Sequence, residues 1–262
     1  MGRGISKALT IAGSDSGGVA GIQADLKAFA AFGVHGSCVI VALTAQNTKE
    51  VTAIHPVPAD FITAQLDAVM SDIGCDAAKI GMLANSKVIS TVAEGLRKWH
   101  ISKIVLDPVM VAASGARLLE DSAIATLKKV LIPLATVMTP NVPEAEVMVG
   151  YPIRNEAEIK KAAMDILALG CKSVLMKGGH LAGEKITDYF FAKDAKEPMG
   201  IEHSRINKEG HGTGCTLSSA IAALLARGYS MEDAVKEAVS YVHHALERGY
   251  RVGERNWVLR IE

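Results

Sequence analysis

Short apolar, β-branched runs alternate with helical segments along most of this chain, and that rhythm constrains the fold more than any other feature. Lys7-Ala8-Leu9-Thr10-Ile11-Ala12, Cys38 to Ala45, Ala77 to Ile80, Lys103 to Leu106, Thr136-Val137-Met138 and Ser173 to Met176 read as buried strands. Between them, helices are predicted over Gly21 to Gly33, Ala59 to Ile73, Ser86 to Trp99, Asp121 to Leu131 and Glu156 to Leu169. Val51 to Val57 is a further extended piece, and Ile186 to Phe191 with Met199 to His203 read as a late hairpin. Two consecutive helices, Thr213 to Arg227 and Met231 to about Arg248, follow. Strand–helix alternation implies an α/β fold with a mostly parallel sheet covered on both faces. Nothing in the composition divides residues 1–262, so a single domain is expected.

In open sheets of this kind ligands bind beyond the carboxyl ends of the strands. That edge should collect Gly13-Ser14-Asp15, Gln46, Gly81-Met82, Asp107, Asn141 with Glu144, and Lys177, residues far apart in sequence. Asp107-Pro108 and Thr139-Pro140-Asn141-Val142-Pro143-Glu144 place carboxylates and an amide just past apolar strands. Mg²⁺ suits such oxygens, since it takes one or two from protein and the rest from water and phosphate. Turn and helix capping is the plainer reading of either stretch alone. Lys177 could supply a cation, although a lysine at a strand end is commonly just solvated.

The stretch Gly210-His211-Gly212-Thr213-Gly214-Cys215-Thr216 precedes an alanine- and leucine-rich helix. Alternating glycines let the backbone approach a neighbour closely, and the helix aims its free N–H groups and positive dipole end back at the turn. An anion site, most economically for phosphate, is one reading; a glycine turn capped by Thr213 is the other. Cys215 lies in the first helical turn, where a thiolate is favoured.

Composition excludes several classes. Lys plus Arg equals Asp plus Glu, 28 each, so no charge excess points to nucleic acid or an anionic membrane. Aromatics at 5% offer no base-stacking platform. Cys38, Cys75, Cys171 and Cys215 are scattered without metal-ligand spacing, which suits free thiols in a reducing compartment. Without an apolar run of transmembrane length or a signal-peptide core, a cytoplasmic protein is expected; Met1-Gly2 with Ser6 touches the myristoylation pattern only weakly.

Several stretches together resemble the ribokinase-like superfamily, in particular the hydroxymethylpyrimidine/phosphomethylpyrimidine kinases of thiamin biosynthesis. They are Ala12 to Gly18, Ala20 to Asp25, Thr44-Ala45-Gln46-Asn47-Thr48, Lys79-Ile80-Gly81-Met82, Asp107-Pro108-Val109-Met110, Thr139-Pro140-Asn141 with Glu144, Lys177-Gly178-Gly179-His180, and the glycine-rich heptad. Val19 departs from the pattern, where glycine is expected, and should stiffen the first loop. The resemblance implies a ribokinase-like three-layer α/β/α sandwich and a kinase using ATP and Mg²⁺. It implies that Gly212, Thr213 and Gly214 form an anion hole, with Cys215 in the place of the usual aspartate base. Gly13, Asp25, Gln46, Met82 and Val109 would hold the aminopyrimidine. Asn141, Lys177 and Gly212 would serve the nucleotide, and Asp107 and Glu144 would organise Mg²⁺.

The implied reaction phosphorylates 4-amino-5-hydroxymethyl-2-methylpyrimidine and then its monophosphate. A pyridoxal kinase is the alternative, and a precursor-binding protein without catalysis a further one. A small-molecule substrate, no nucleic-acid or membrane partner, and a homodimer are expected. Thiamin phosphate synthase activity is expected on another chain. Residues 112–116 are the expected flap, with Asn207-Lys208-Glu209, and His243-His244 are expected at a surface or subunit contact.

Overall fold

The computed structural model describes residues 4–111, 115, 118–178, 184–208, 210–254 and 257–262. In chain order the first half holds β1 (Lys7–Asp15), α1 (Gly21–Ala31), β2 (His35–Gln46), β3 (Val51–Pro56), α2 (Ala59–Asp72), β4 (Ala77–Ile80), α3 (Ser86–Lys98) and β5 (Ile104–Leu106). The second half holds α4 (Asp121–Thr126), β6 (Val137–Met138), α5 (Val142–Val149), α6 (Glu156–Ala168), β7 (Ser173–Met176), β8 (Lys185–Ala192) and β9 (Met199–Ser204). It closes with β10 (Gly210–His211), α7 (Thr213–Ala226), α8 (Met231–Glu247), β11 (Tyr250–Arg251) and β12 (Trp257–Val258).

Nine strands form one sheet in the order β3-β2-β1-β4-β5-β6-β7-β8-β9. Its centre, from β2 through β7, is parallel, while β3 at one edge and β8 and β9 at the other run antiparallel. The central strands β4, β5, β6 and β7 are buried along their whole length, as the uninterrupted apolar runs require. On one face α2, α3, α5 and α6 pack through residues such as Leu66, Ile89, Leu96 and Ile166. On the other, α1, α7 and α8 pack through Phe29, Ile221, Leu224 and Val235. The expected three-layer α/β/α sandwich is therefore present.

Helix α7 is apolar all round, and every residue from Thr216 to Ala226 is buried, because α1 and α8 flank it against the sheet. Four differences from the sequence reading have local causes. Strand β1 continues through Gly13-Ser14-Asp15, where a loop was expected, because β2 extends far enough to pair with it. The helix predicted from Asp121 to Leu131 widens into a π-type turn over Leu127–Leu131. Helix α5 was not predicted, being only 8 residues long and opening on Val142-Pro143. A second, three-stranded sheet, β10-β12-β11, pins Gly210 and His211 just before α7, and strands this short leave no periodicity to read.

Lys79 of β4 is fully buried and donates to both carboxylate oxygens of Asp25 on α1, at 2.8 and 2.9 Å. Thr10 of β1 and Ser219 of α7 donate to the same carboxylate at 2.6 and 2.7 Å. One carboxylate thus ties together two strands and two helices. Removing one charge of such a pair leaves the other unpaired in a dry interior, at a cost of about 3–5 kcal/mol. Urea denaturation should therefore show Lys79→Met destabilised by about that amount, with the double variant Lys79→Met/Asp25→Asn recovering part of the loss; a single variant within about 1 kcal/mol of wild type would contradict this.

Candidate active site

Where β1, β4, β5 and β7 end, the chain leaves a cavity of about 550 Å³. Gly13, Gln46, Met82 and Val109 line one end of it, and Asp107, Asn141, Glu144, Lys177 and Gly212 to Cys215 line the other. A second cavity of about 480 Å³ shares Asn141, Lys177, Thr213 and Gly214 with the first and runs on between β9 and α8. Leu217, Val239, Val242 and Leu246 give it an apolar side. The strand-end rule thus gathers residues drawn from Gly13 to Cys215 in one place.

The turn before α7 has the conformation its glycines permit. Gly212 is the N-cap of α7 at φ +81°, and a Cβ there would meet the Val19 carbonyl oxygen at 2.0 Å, so position 212 excludes a side chain twice over. No side chain caps α7. Thr213 is the first helical residue rather than the cap, because the left-handed Gly212 occupies the capping position. The first-turn N–H groups therefore face the cavity, as an anion site needs. The partner loop is built by Asp15, which is 3% exposed and accepts from the N–H groups of Gly17, Val19 and Ala20.

Lys177 stands between two carboxylates. Its Nζ is 3.4 Å from Asp107 Oδ1 and 3.9 Å from Glu144 Oε2. Burial alone would lower the Lys177 pKa, but Asp107 and Glu144 hold it above the ordinary value. Burial pushes Glu144 up to about 7, with Lys177 opposing and Asp107 adding to the rise. Asn141 and Glu144 also form a capping box at the start of α5: Asn141 Oδ1 accepts from the Glu144 N–H at 2.8 Å and Glu144 Oε2 from the Asn141 N–H at 2.9 Å. Capping and ligand binding are compatible, since the box leaves Asn141 Nδ2 and Glu144 Oε1 outside it. Among the described residues Asp107 receives only long contacts, 3.3 Å from Thr139 Oγ1 and 3.4 Å from both Lys177 Nζ and Ser218 Oγ. It is therefore a carboxylate with capacity to spare for a cation. Among the described residues no group of three or more His, Cys, Asp or Glu could enclose a metal. Such a donor set fits Mg²⁺ completed by phosphate and water, not an all-protein cage.

Two expectations need correction. Asp25 does not reach the cavity: it is 0% exposed, and among the described residues its carboxylate is bonded to Lys79, Thr10 and Ser219. Helical position alone would have put it in solvent, but α1 turns this residue toward the sheet and α7. Cys215 does not sit in thiolate-favouring surroundings. Loss of water around its sulfur pushes it from 9.0 to about 11; Lys79 opposes this, Asp25 and Asp107 reinforce it, and a Gly21 backbone hydrogen bond opposes it. The lysine and the Gly21 N–H are thus outweighed by desolvation and two carboxylates.

His243 lines the second cavity, with its ring 5.3 Å from that of His203, rather than forming an outer contact, while its neighbour His244 is exposed. The expected flap at 112–116 lies outside the described residues except for Gly115, as do Glu209 of the second flap segment, Gly179 and His180. Sequence reasoning gives no role to Lys79 or His211, which also line the cavity. A lysine inside an apolar strand was the available signal for the first.

The phosphomethylpyrimidine kinase family model matches residues 15–260. The chain belongs to that family. It is 50% identical over 248 residues to a hydroxymethylpyrimidine/phosphomethylpyrimidine kinase of Rhizobium meliloti, covering 94% of this chain and 92% of the relative. A protein of the same description from Escherichia coli is 47% identical, with 91% and 90% covered. Among solved structures, phosphomethylpyrimidine kinase from Clostridium difficile superposes with a TM-score of 0.81 at 45% identity, covering 92% of this chain and 99% of that one. An ADP complex of Bacillus subtilis pyridoxal kinase gives 0.90 at 33% identity, with 98% of each chain covered.

Because its pKa is raised to about 11, Cys215 in the ligand-free protein should alkylate slowly near neutral pH. Its rate should climb about tenfold per pH unit up to that value, as the thiolate fraction does. Peptide-resolved mass spectrometry after iodoacetamide pulses reads this directly. A rate already saturated at pH 8 would refute it.

Proposed function

We propose that this chain transfers the γ-phosphoryl group of ATP to the hydroxyl of 4-amino-5-hydroxymethyl-2-methylpyrimidine, and then a second phosphoryl to the resulting monophosphate. One observation carries the reading. A cavity with a ring-reading carboxamide, Gln46, meets a second cavity at the uncapped end of α7, beside Lys177 and Asp107. That junction is where a phosphoryl group in transit needs neutralisation. Family membership over nearly the whole chain supports the substrate class.

In this reading Gly13, Met82 and Val109 enclose the pyrimidine and Gln46 reads its edge, supplying an acceptor and a donor. Leu217, Val242 and Leu246 receive the adenine in the apolar second cavity, and Asn141 and Lys177 orient the phosphates. The N–H groups of Thr213, Gly214 and Cys215 stabilise charge on the transferring group, already aimed before it arrives. Asp107 and Glu144 would hold Mg²⁺, which supplies neutralisation of phosphate charge when bound. Phosphoryl transfer passes through a loose transition state, so position and charge outweigh base strength. In this reading the thiolate form of Cys215, minor near neutrality because its pKa is raised, accepts the alcohol proton as the bond to phosphorus forms and is left as the thiol. The second acceptor is a phosphate monoester, already anionic, and needs no proton removed.

Pyridoxal phosphorylation is the second reading, favoured by the close superposition on pyridoxal kinase; Gln46 favours the pyrimidine. A homodimer is also proposed, supported by the exposed Leu43 on β2 and Phe61 on α2. A cytoplasmic location is proposed with it; among the described residues no helix is long and apolar enough to cross a membrane.

Product assays with ATP and Mg²⁺ should show monophosphate and then diphosphate from the pyrimidine, with kcat/KM above that for pyridoxal. A preference for pyridoxal would reverse the assignment. Cys215→Ser should slow the first transfer at least tenfold more than the second, and equal losses would remove the proton-accepting role from Cys215.

A further inference from the structure

His211 sits within the glycine-rich turn but has no part in the anion hole. It is 4% exposed, held by the pairing of β10 with β12, and lies at the edge of the substrate cavity. Its Nε2 is 3.1 Å from Gln46 Nε2, and among the described residues its buried Nδ1 has no partner. Two nitrogens facing one another make a hydrogen bond only if one carries a proton and the other does not.

The other end of the carboxamide decides the matter. Gln46 Oε1 is placed 3.3 Å from Thr44 Oγ1, and the same hydroxyl lies 3.0 Å from the Ser14 carbonyl oxygen. A hydroxyl has one proton to give, and a carbonyl can only accept. With that proton on Ser14, the hydroxyl would present a lone pair to the amide oxygen. The arrangement also demands that His211 carry its proton on Nδ1, where a desolvated N–H would find no acceptor.

Turning the carboxamide by half a rotation removes both conflicts, and the two ends of an amide are nearly the same shape. Gln46 Nε2 then donates to Thr44 Oγ1, Thr44 donates to the Ser14 carbonyl, and His211 Nε2–H donates to Gln46 Oε1. Only an acceptor, the His211 Nδ1 lone pair, remains unmatched. Buried acceptors without partners are commoner in proteins than buried donors without them.

We propose that His211 is a specificity-determining positioning residue, whose Nε2–H fixes the Gln46 amide with its acceptor toward His211 and its donor toward Thr44. The remaining N–H and lone pair of Gln46 then present donor and acceptor to the cavity in one fixed order. An aromatic amidine edge, a ring nitrogen beside an exocyclic amine, matches that order with both bonds made. A pyridine carrying a hydroxyl beside a methyl group has no such edge and makes at most one. The substrate half of this proposal rests on the reading of the cavity as an aminopyrimidine site; the hydrogen-bond half does not.

The test uses the full chain. In ¹⁵N-histidine-labelled protein without ligand, the His211 ring, assigned by its loss in His211→Gln, should show its proton on Nε2. A proton on Nδ1 overturns the proposal, and this measurement does not depend on the activity of any variant. Kinetically, His211→Leu should raise KM for the aminopyrimidine alcohol about tenfold, as for one lost hydrogen bond. Its selectivity over pyridoxal should fall by a similar factor, with KM for ATP within about twofold of wild type. His211→Gln, which keeps a donor, should recover most of the loss. Unchanged selectivity in His211→Leu, or an equal rise in both KM values, overturns it. A wild-type enzyme inactive on the pyrimidine would instead overturn the proposed function and leave the tautomer result standing.

Discussion

The ion pair between Lys79 and Asp25 fixes where everything else in the site stands. Two opposite charges with no exposure are tolerable only when each is matched, and here the carboxylate takes four hydrogen bonds, from Lys79, Thr10 and Ser219. Those donors come from β1, β4 and α7, and the carboxylate from α1. The angle at which α7 meets the sheet is thereby set from within. That angle decides where the uncapped N–H groups point and how close Cys215 comes to the carboxylates. A purely apolar contact would hold the layers together but would specify their mutual orientation less sharply.

The same pair explains why the site is electrically crowded. Lys79 and Lys177 lie among Asp25, Asp107 and Glu144, and burial above all, with Asp107 adding, raises Glu144 to about 7 and Cys215 to about 11. Neither group carries full negative charge near neutrality in the ligand-free site. A site that must receive a polyphosphate gains from this, because few fixed anions repel it at the start. The cations, by contrast, are held charged by their carboxylate neighbours.

Much of the architecture could be read from the chain because its signals are repetitive. The apolar runs ending at Asp107 and Lys177 declare parallel strands, and the rule that ligands gather beyond strand ends then assembles the cavity without distances. Gln46, Met82 and Val109, singled out through the family pattern, all line that cavity. The failures share a cause. Asp25, Cys215 and His211 owe their character to neighbours distant in sequence: burial beneath α7, two carboxylates from α1 and from just past β5, and a carboxamide contributed by β2. Thr213 failed as a cap for a local reason, since a left-handed glycine already held that place. The short strands β10 to β12 lack the length to announce themselves.

The two cavities share a wall made of Asn141, Lys177, Thr213 and Gly214. In the proposed reading a single locus for phosphoryl charge therefore serves both donor and acceptor sides. After one transfer that locus holds a phosphate now attached to the pyrimidine. For the monophosphate to become an acceptor, it must withdraw by about the length of one phosphate while a fresh nucleotide takes its place. An enzyme of this shape has to loosen its hold on its own first product between the two chemical events.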